Sequence, residues 1–256
     1  WRIDYQGKFL SSRGPFTVPR SPQGHPVVMQ AGMSGRGRRF AAQWGELLFV
    51  VHHTLAGAQK AYSEAKKAMA DVGRDPNSQK ICTLFYPVTA ATKMEAEDKK
   101  AAYDKLPNEV DQLSLLSEAL NYDFSKKGLD EAFTDEELRS INGMQSMRDR
   151  VLESGKKNPT VRDFMQVTGR GLLREAWVGG PKEIADQIEE WWSANGCDGF
   201  VVGPTHQPGC FEDFVTHVVP ELQKRGIYRK DYTGATLRDH LGLPRAEVGD
   251  WRKTRA

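Results

Sequence analysis

The sequence predicts an α/β fold built from parallel βα units, and three observations predict it. Four short apolar runs, at 27–30, 47–51, 80–88 and 199–203, are continuous rather than alternating, the pattern of strands covered on both faces. Most are followed by a stretch with helical spacing. Glycine or proline marks the joints between them.

The lead-in, residues 1–26, reads as loop and short hairpin, because Gly7, Gly14, Pro15, Pro19, Pro22, Gly24 and Pro26 interrupt any longer element. His25-Pro26-Val27-Val28-Met29-Gln30 then forms the first strand, closed by Ala31-Gly32, and 34–44 the first helix. The second strand is 47–51. A helix over 56–72 follows, with Ala58, Ala61, Ala65, Ala68 and Met69 at three- and four-residue steps and Gly73 as its C-cap. The third strand is 80–88. The interval 93–176 breaks the rhythm: it is charged, has helical stretches at 96–103, 110–120 and 135–154, and shows no clear strand. It is expected to be a helical insertion, of the kind that often covers an active site. A helix over 181–194 starts on Pro181. The fourth strand, 199–203, leads to a closing helix over 211–225 stopped by Gly226. The tail, 229–256, is expected to pack along the outside or fray.

Composition excludes several classes. The chain has 256 residues with 36 basic and 34 acidic side chains, a balance unlike that of a nucleic-acid binder. No apolar run approaches the ~20 residues of a membrane helix. Three cysteines, Cys82, Cys197 and Cys210, have no paired spacing, which argues for a reducing, cytoplasmic setting and against a disulfide scaffold or zinc site. The start Trp1-Arg2-Ile3-Asp4 has neither an initiator Met nor an apolar leader, as expected of a fragment or processed chain.

The sharpest chemical signal is Gln30-Ala31-Gly32-Met33-Ser34-Gly35, between a strand end and a helix start. Free backbone N–H groups and the helix dipole favour a phosphate there, and glycine lets the backbone come close. Ser34 adds a hydroxyl, and Arg36, Arg38 or Arg39 adds charge. The same residues also suit an ordinary βα turn with Ser34 as N-cap. His52 and His53 follow the second strand, where α/β enzymes place working residues, and are candidates for proton transfer or substrate contact. No carboxylate or third histidine lies at ligand spacing, so no metal site is expected. Cys82 reads as core, and Asp198 before the last strand as structural.

Taken together, several blocks resemble the luciferase-like flavin-dependent monooxygenases, in the branch of the nitrilotriacetate, EDTA and dibenzothiophene-sulfone enzymes. They are Gly14-Pro15-Phe16-Thr17-Val18-Pro19-Arg20-Ser21-Pro22-Gln23-Gly24-His25-Pro26 with the strand and turn after it, Trp177-Val178-Gly179-Gly180-Pro181-Lys182-Glu183-Ile184-Ala185, and Cys197-Asp198-Gly199-Phe200. Phe211-Glu212-Asp213-Phe214-Val215, Val218-Val219-Pro220-Glu221-Leu222-Gln223-Lys224-Arg225-Gly226 and Leu237-Arg238-Asp239-His240-Leu241-Gly242-Leu243 continue the match. The resemblance implies one partial TIM-barrel domain over 1–256: the C-terminal half, strands five to eight, with the 93–176 insertion between the last two. It implies a two-component monooxygenase that uses reduced FMN, supplied by a separate flavin reductase, and O2 to oxygenate a small organic substrate. Gln30, Ala31, Gly32, Ser34 and Gly35 would bind the cofactor phosphate. Arg170, in Gly169-Arg170-Gly171, would meet an anionic substrate or close a lid; the same residue also suits an ordinary surface-loop arginine. A half barrel leaves strand edges bare, so a homo-oligomer or an N-terminal half is expected to cover them. The alternatives are a non-catalytic half-barrel remnant or assembly subunit, and a deazaflavin-dependent oxidoreductase.

Overall fold

The computed structural model describes residues 2–15, 17–31, 35–156, 158–168 and 175–247. A small exposed hairpin, β1 (Tyr5–Gln6) and β2 (Ser11–Ser12), forms in the lead-in, where glycines and prolines leave room for nothing longer. The main sheet follows, entirely parallel, from β3 (Met29–Ala31), β4 (Leu47–Val50) and β5 (Lys80–Thr89), joined by β6 (Ala176–Gly179) and β7 (Gly199–Val202). Its path is β3-β4-β5-β6, with β7 also paired to β5.

Strand β5 is ten residues long and carries three neighbours. Lys80 through Thr83 pair with β4, and Cys82 through Phe85 with β7. Tyr86 through Thr89 outrun both, and β6 pairs with them. The four strands read from sequence are present; β6 is a fifth that the reading placed at the end of a strandless insertion. Four residues ending in glycine carry too little pattern to declare themselves, and the strand pairs with the overhang that β4 and β7 leave on β5. The insertion therefore precedes a strand rather than filling the whole interval before β7.

The sheet is covered on one face, not both as expected. Leu48, Val50, Ile81 and Phe85 are buried on one side, while Leu47, Phe49, Cys82, Leu84 and Tyr86 alternate with them and stay half-exposed. The edge strand β3 shows the effect most: Met29 is 62% exposed. Helices explain the covered side. Helix α1 (Gly35–Trp44) and α2 (Leu55–Asp71) pack Ala41 and Ala65 on Leu48, Val50 and Ile81. Thr54 caps α2 by accepting from the Gly57 N–H, and Gly73 takes the positive φ of 76° that ends it.

The insertion holds α3 (Lys93–Tyr103), α4 (Glu109–Leu120), α5 (Asp135–Ser140), α6 (Gln145–Glu153) and α7 (Val161–Thr168). The single helix expected over 135–154 is two. Gly143 crosses α4 so closely that a Cβ on it would lie 2.3 Å from the Leu120 carbonyl carbon. The Gly143 and Met144 N–H groups donate to the Leu120 and Ala119 carbonyls, so backbone groups that a helix would use internally are committed to α4. The insertion has its own core, centred on Phe124, Phe133 and Phe164 with Leu116, Leu120 and Val161.

Helix α8 (Pro181–Ser193) buries Ile184, Ala185, Ile188 and Trp191, meeting Phe85, Val218 and Leu222. The closing helix is α9 (Cys210–Asp213), a π turn (Phe214–Val218) and α10 (Val219–Lys224). The wide turn falls just before Pro220, which has no N–H to give and crowds the turn preceding it. The tail up to Glu247 does not fray. It forms α11 (Leu237–His240) and seats Arg238, 3% exposed, against Glu46 at the start of β4. No described helix is long and apolar enough to cross a membrane.

Phe124 is fully buried between Phe133 and Phe164 at centroid distances of 5.7 and 5.4 Å. Phe124→Ala is expected to cost the insertion about 3–5 kcal/mol. Because that core is separate from the sheet's, hydrogen exchange should show lost protection in α4 and α7 with the β5 amides unchanged.

Candidate functional site

Parallel strands present their C-terminal ends together, and the loops leaving those ends form the working face of such sheets. In this chain they are the turn after β3, the 51–54 loop after β4, the 90–92 loop after β5 and the 203–209 loop after β7. Ala31 pairs with Phe49, so the ends of β3 and β4 lie side by side.

Of the residues expected to hold a phosphate, Gln30 is half-buried, and its side-chain amide donates to the Ala31 carbonyl at 2.7 Å. Ala31 is exposed, and Gly35 is the first residue of α1. Gly32 and Ser34 lie outside the described residues, as does Arg170. Three features of α1 suit an anion. Its first turn has no acidic residue. It carries Arg36, Arg38 and Arg39 near its start. A Cβ on Gly35 would meet nothing closer than 4.0 Å. Arg38 also pairs with Glu64 on α2 at 2.7 Å.

His53 joins three parts of the chain. Its Nε2 lies 3.1 Å from an Arg150 guanidinium nitrogen on α6, and its Nδ1 contacts the Glu175 carboxylate at the entrance to β6. Arginine can only donate, so Nε2 accepts, and Nδ1 carries the proton that it gives to Glu175. His52 has a buried Nε2 with no hydrogen-bond partner. Burial, reinforced by the nearby Arg38 charge, holds its pKa below the ordinary value of 6.5. Arg150 and Glu175 were not singled out from sequence. Arg150 lies 97 residues from His53 in a helix where charge is the rule, so only the fold connects them.

The loop after β7 is tied to the insertion. The Tyr103 hydroxyl on α3 meets His206 Nδ1 at 3.0 Å, and Lys99 pairs with Asp213 at 2.7 Å. At the opposite end of the sheet, the Asp198 carboxylate accepts from Tyr62 Oη at 2.9 Å, Lys66 Nζ at 2.9 Å and the Ile81 N–H at 2.8 Å. This agrees with its structural reading. Burial raises the Cys82 thiol to about 11 and the Cys197 thiol to about 12, so neither is a thiolate nucleophile near neutral pH.

Residues 1–199 match the family model of the luciferase-like monooxygenases. The chain belongs to the luciferase-like monooxygenase family. Within curated proteins it is 41% identical over 249 residues to nitrilotriacetate monooxygenase component A of Aminobacter aminovorans, covering 95% of this chain and 54% of that protein. Among solved structures it superposes on DmoA of Hyphomicrobium sulfonivorans with a TM-score of 0.75 and 34% identity, over 94% of this chain and 50% of the other. It superposes on riboflavin lyase (RcaE), solved with modified FMN and riboflavin, with a TM-score of 0.81 and 28% identity, over 100% and 57%. The chain thus spans about half the length of the curated relatives it matches.

The His52 shift sets a pH dependence. Its pKa is lower folded than unfolded, so the unfolded chain takes up a proton first as pH falls. Stability is therefore full above about 6.5 and declines below it. His52→Gln is expected to flatten that decline in urea midpoints measured from pH 8 to pH 5, and an unchanged slope would remove His52 as its source.

Proposed function

We propose that the protein containing this chain is the oxygenase component of a two-component monooxygenase. It takes reduced FMN from a separate flavin reductase, and O2, and oxygenates a small organic substrate. The observation that carries the reading is the match to a protein named component A of a monooxygenase across 95% of this chain. The riboflavin lyase solved with modified FMN supports the choice of flavin.

In this reading β3, β4, β5 and β7 are strands five to eight of an eight-strand barrel, and β6 is a short addition. The half-exposed sheet face of Phe49, Leu84 and Tyr86 is then the barrel's inner wall. Reduced FMN supplies the two electrons that let one oxygen atom enter the substrate while the other leaves as water. The chain's own part is to bind, orient and exclude water. Gln30, Ala31, Gly32, Ser34 and Gly35 hold the phosphate through backbone N–H groups and the Ser34 hydroxyl, with the start of α1 supplying favourable charge. The insertion, clamped to the post-β7 loop by Lys99 and Tyr103, limits water at the strand ends.

The test uses the full-length protein with a flavin reductase, NADH, FMN and candidate substrates. Substrate-dependent O2 uptake with an oxygenated product is expected, and absence of any flavin-dependent O2 use sinks the reading. Ser34→Ala should weaken reduced-FMN binding by about 1–2 kcal/mol, the scale of one hydrogen bond to a charged group. Riboflavin, which lacks the phosphate, should bind both forms alike in equilibrium titrations.

A further inference from the structure

Partly buried arginines elsewhere in this chain are well supplied with acceptors. Arg74 donates to the carbonyls of Ala41, Ala42 and Gly45 and to the Ser78 hydroxyl. Arg225 meets the carboxylates of Asp186, Glu189 and Glu221. Arg238 meets Glu46 and the Pro244 carbonyl.

Arg150 breaks the pattern. Among the described residues its one polar partner is the uncharged Nε2 of His53, and its own Nε is buried with no acceptor. A guanidinium carries five N–H donors, and a buried donor left unpaired is costly. One residue before His53, the buried Nε2 of His52 is also unpartnered. Arg150 is the neighbour of His53 in space and His52 its neighbour in sequence, just past the end of β4 and next to the strand whose end leads into α1. Glu175 holds the His53 ring so that its lone pair faces Arg150, which fixes the guanidinium without neutralising it.

We propose that the Arg150 guanidinium receives an oxyanion, with His53 and Glu175 as positioning residues. The group is a carboxylate or sulfonate of the substrate, or the phosphate of the flavin; all present the paired acceptor oxygens that a guanidinium fork fits. The proposal rests on the reading of the strand ends as a monooxygenase site and adds to it that an anion is bound at this corner.

The experiment uses the full-length protein and three probes: citrate as a free polycarboxylate, FMN, and riboflavin as FMN without its phosphate. Citrate is expected to raise the thermal midpoint of the wild type, Arg150→Gln to lose that rise, and Arg150→Lys to keep part of it. A tenfold or greater loss of FMN affinity in Arg150→Gln, with riboflavin unaffected, would identify the anion as the flavin phosphate. Loss of the citrate effect with FMN affinity intact would identify it as the substrate's. The proposal is overturned if citrate acts equally, or not at all, on wild type and Arg150→Gln while FMN affinity is also equal. Should Arg150→Gln fail to fold, Glu175→Gln loosens the His53 ring that holds the guanidinium, and the same comparisons decide. If the wild type binds no flavin, the functional reading fails, and the citrate comparison still decides whether an anion site exists.

Discussion

Three elements meet on the carboxylate of Asp198. It accepts from Tyr62 and Lys66 on α2 and from the Ile81 backbone on β5, and it stands one residue before β7 begins. Lys66 in turn reaches the Pro76 and Gln79 carbonyls. The register of β7 on β5 and the seat of α2 over the sheet are thus set at one point. The ion pair is largely shielded, with side-chain exposures of 15% for Lys66 and 21% for Asp198, so separating its partners would strand a charge rather than merely lose a surface contact. Everything on the C-terminal side of β5, including its overhang and the site loops, inherits its position from this anchorage.

A second polar tie works at the same end of the sheet. Glu46 receives two bonds from Arg238 and one from the Val28 N–H, and Gln23 bonds the Arg238 backbone. Arg20 and Gln23 also hold the chain at Ala246. The lead-in and the tail are therefore fastened where the strands begin, leaving the ends where the strands finish to loops and the insertion. The polar anchors and the candidate site loops occupy opposite ends of the sheet, the division expected of parallel βα architectures.

How much of this was legible in the sequence follows from the range of the forces involved. Strands β3, β4, β5 and β7, α2 and its Gly73 cap, and the Pro181 start of α8 are specified locally, and they stand close to where the sequence puts them. The β6 strand depends on a free stretch of β5, and the break at 141–144 on a glycine meeting α4; both are contacts between distant segments. One-sided burial was hidden for another reason. Phe49, Leu84 and Tyr86 are as apolar as the residues that alternate with them, so hydrophobicity alone marks the strand without saying which face is covered. At the candidate site the sequence singled out His52 and His53 by their position after a strand. Arg150 and Glu175 carried no comparable signal, since their meaning comes from the imidazole between them.

The aromatic core of the insertion has a consequence for how this chain can change. Its packing is satisfied within the segment itself, around Phe124, Phe133 and Phe164, and is not shared with the clusters beneath the sheet. Substitutions that reshape the insertion therefore draw on a separate local reserve of stability, as distinct cooperative units do. A lineage can remodel the insertion while the scaffold beneath drifts at its own pace. Modularity of this kind lets one part of a fold change without first re-solving how the rest of it folds.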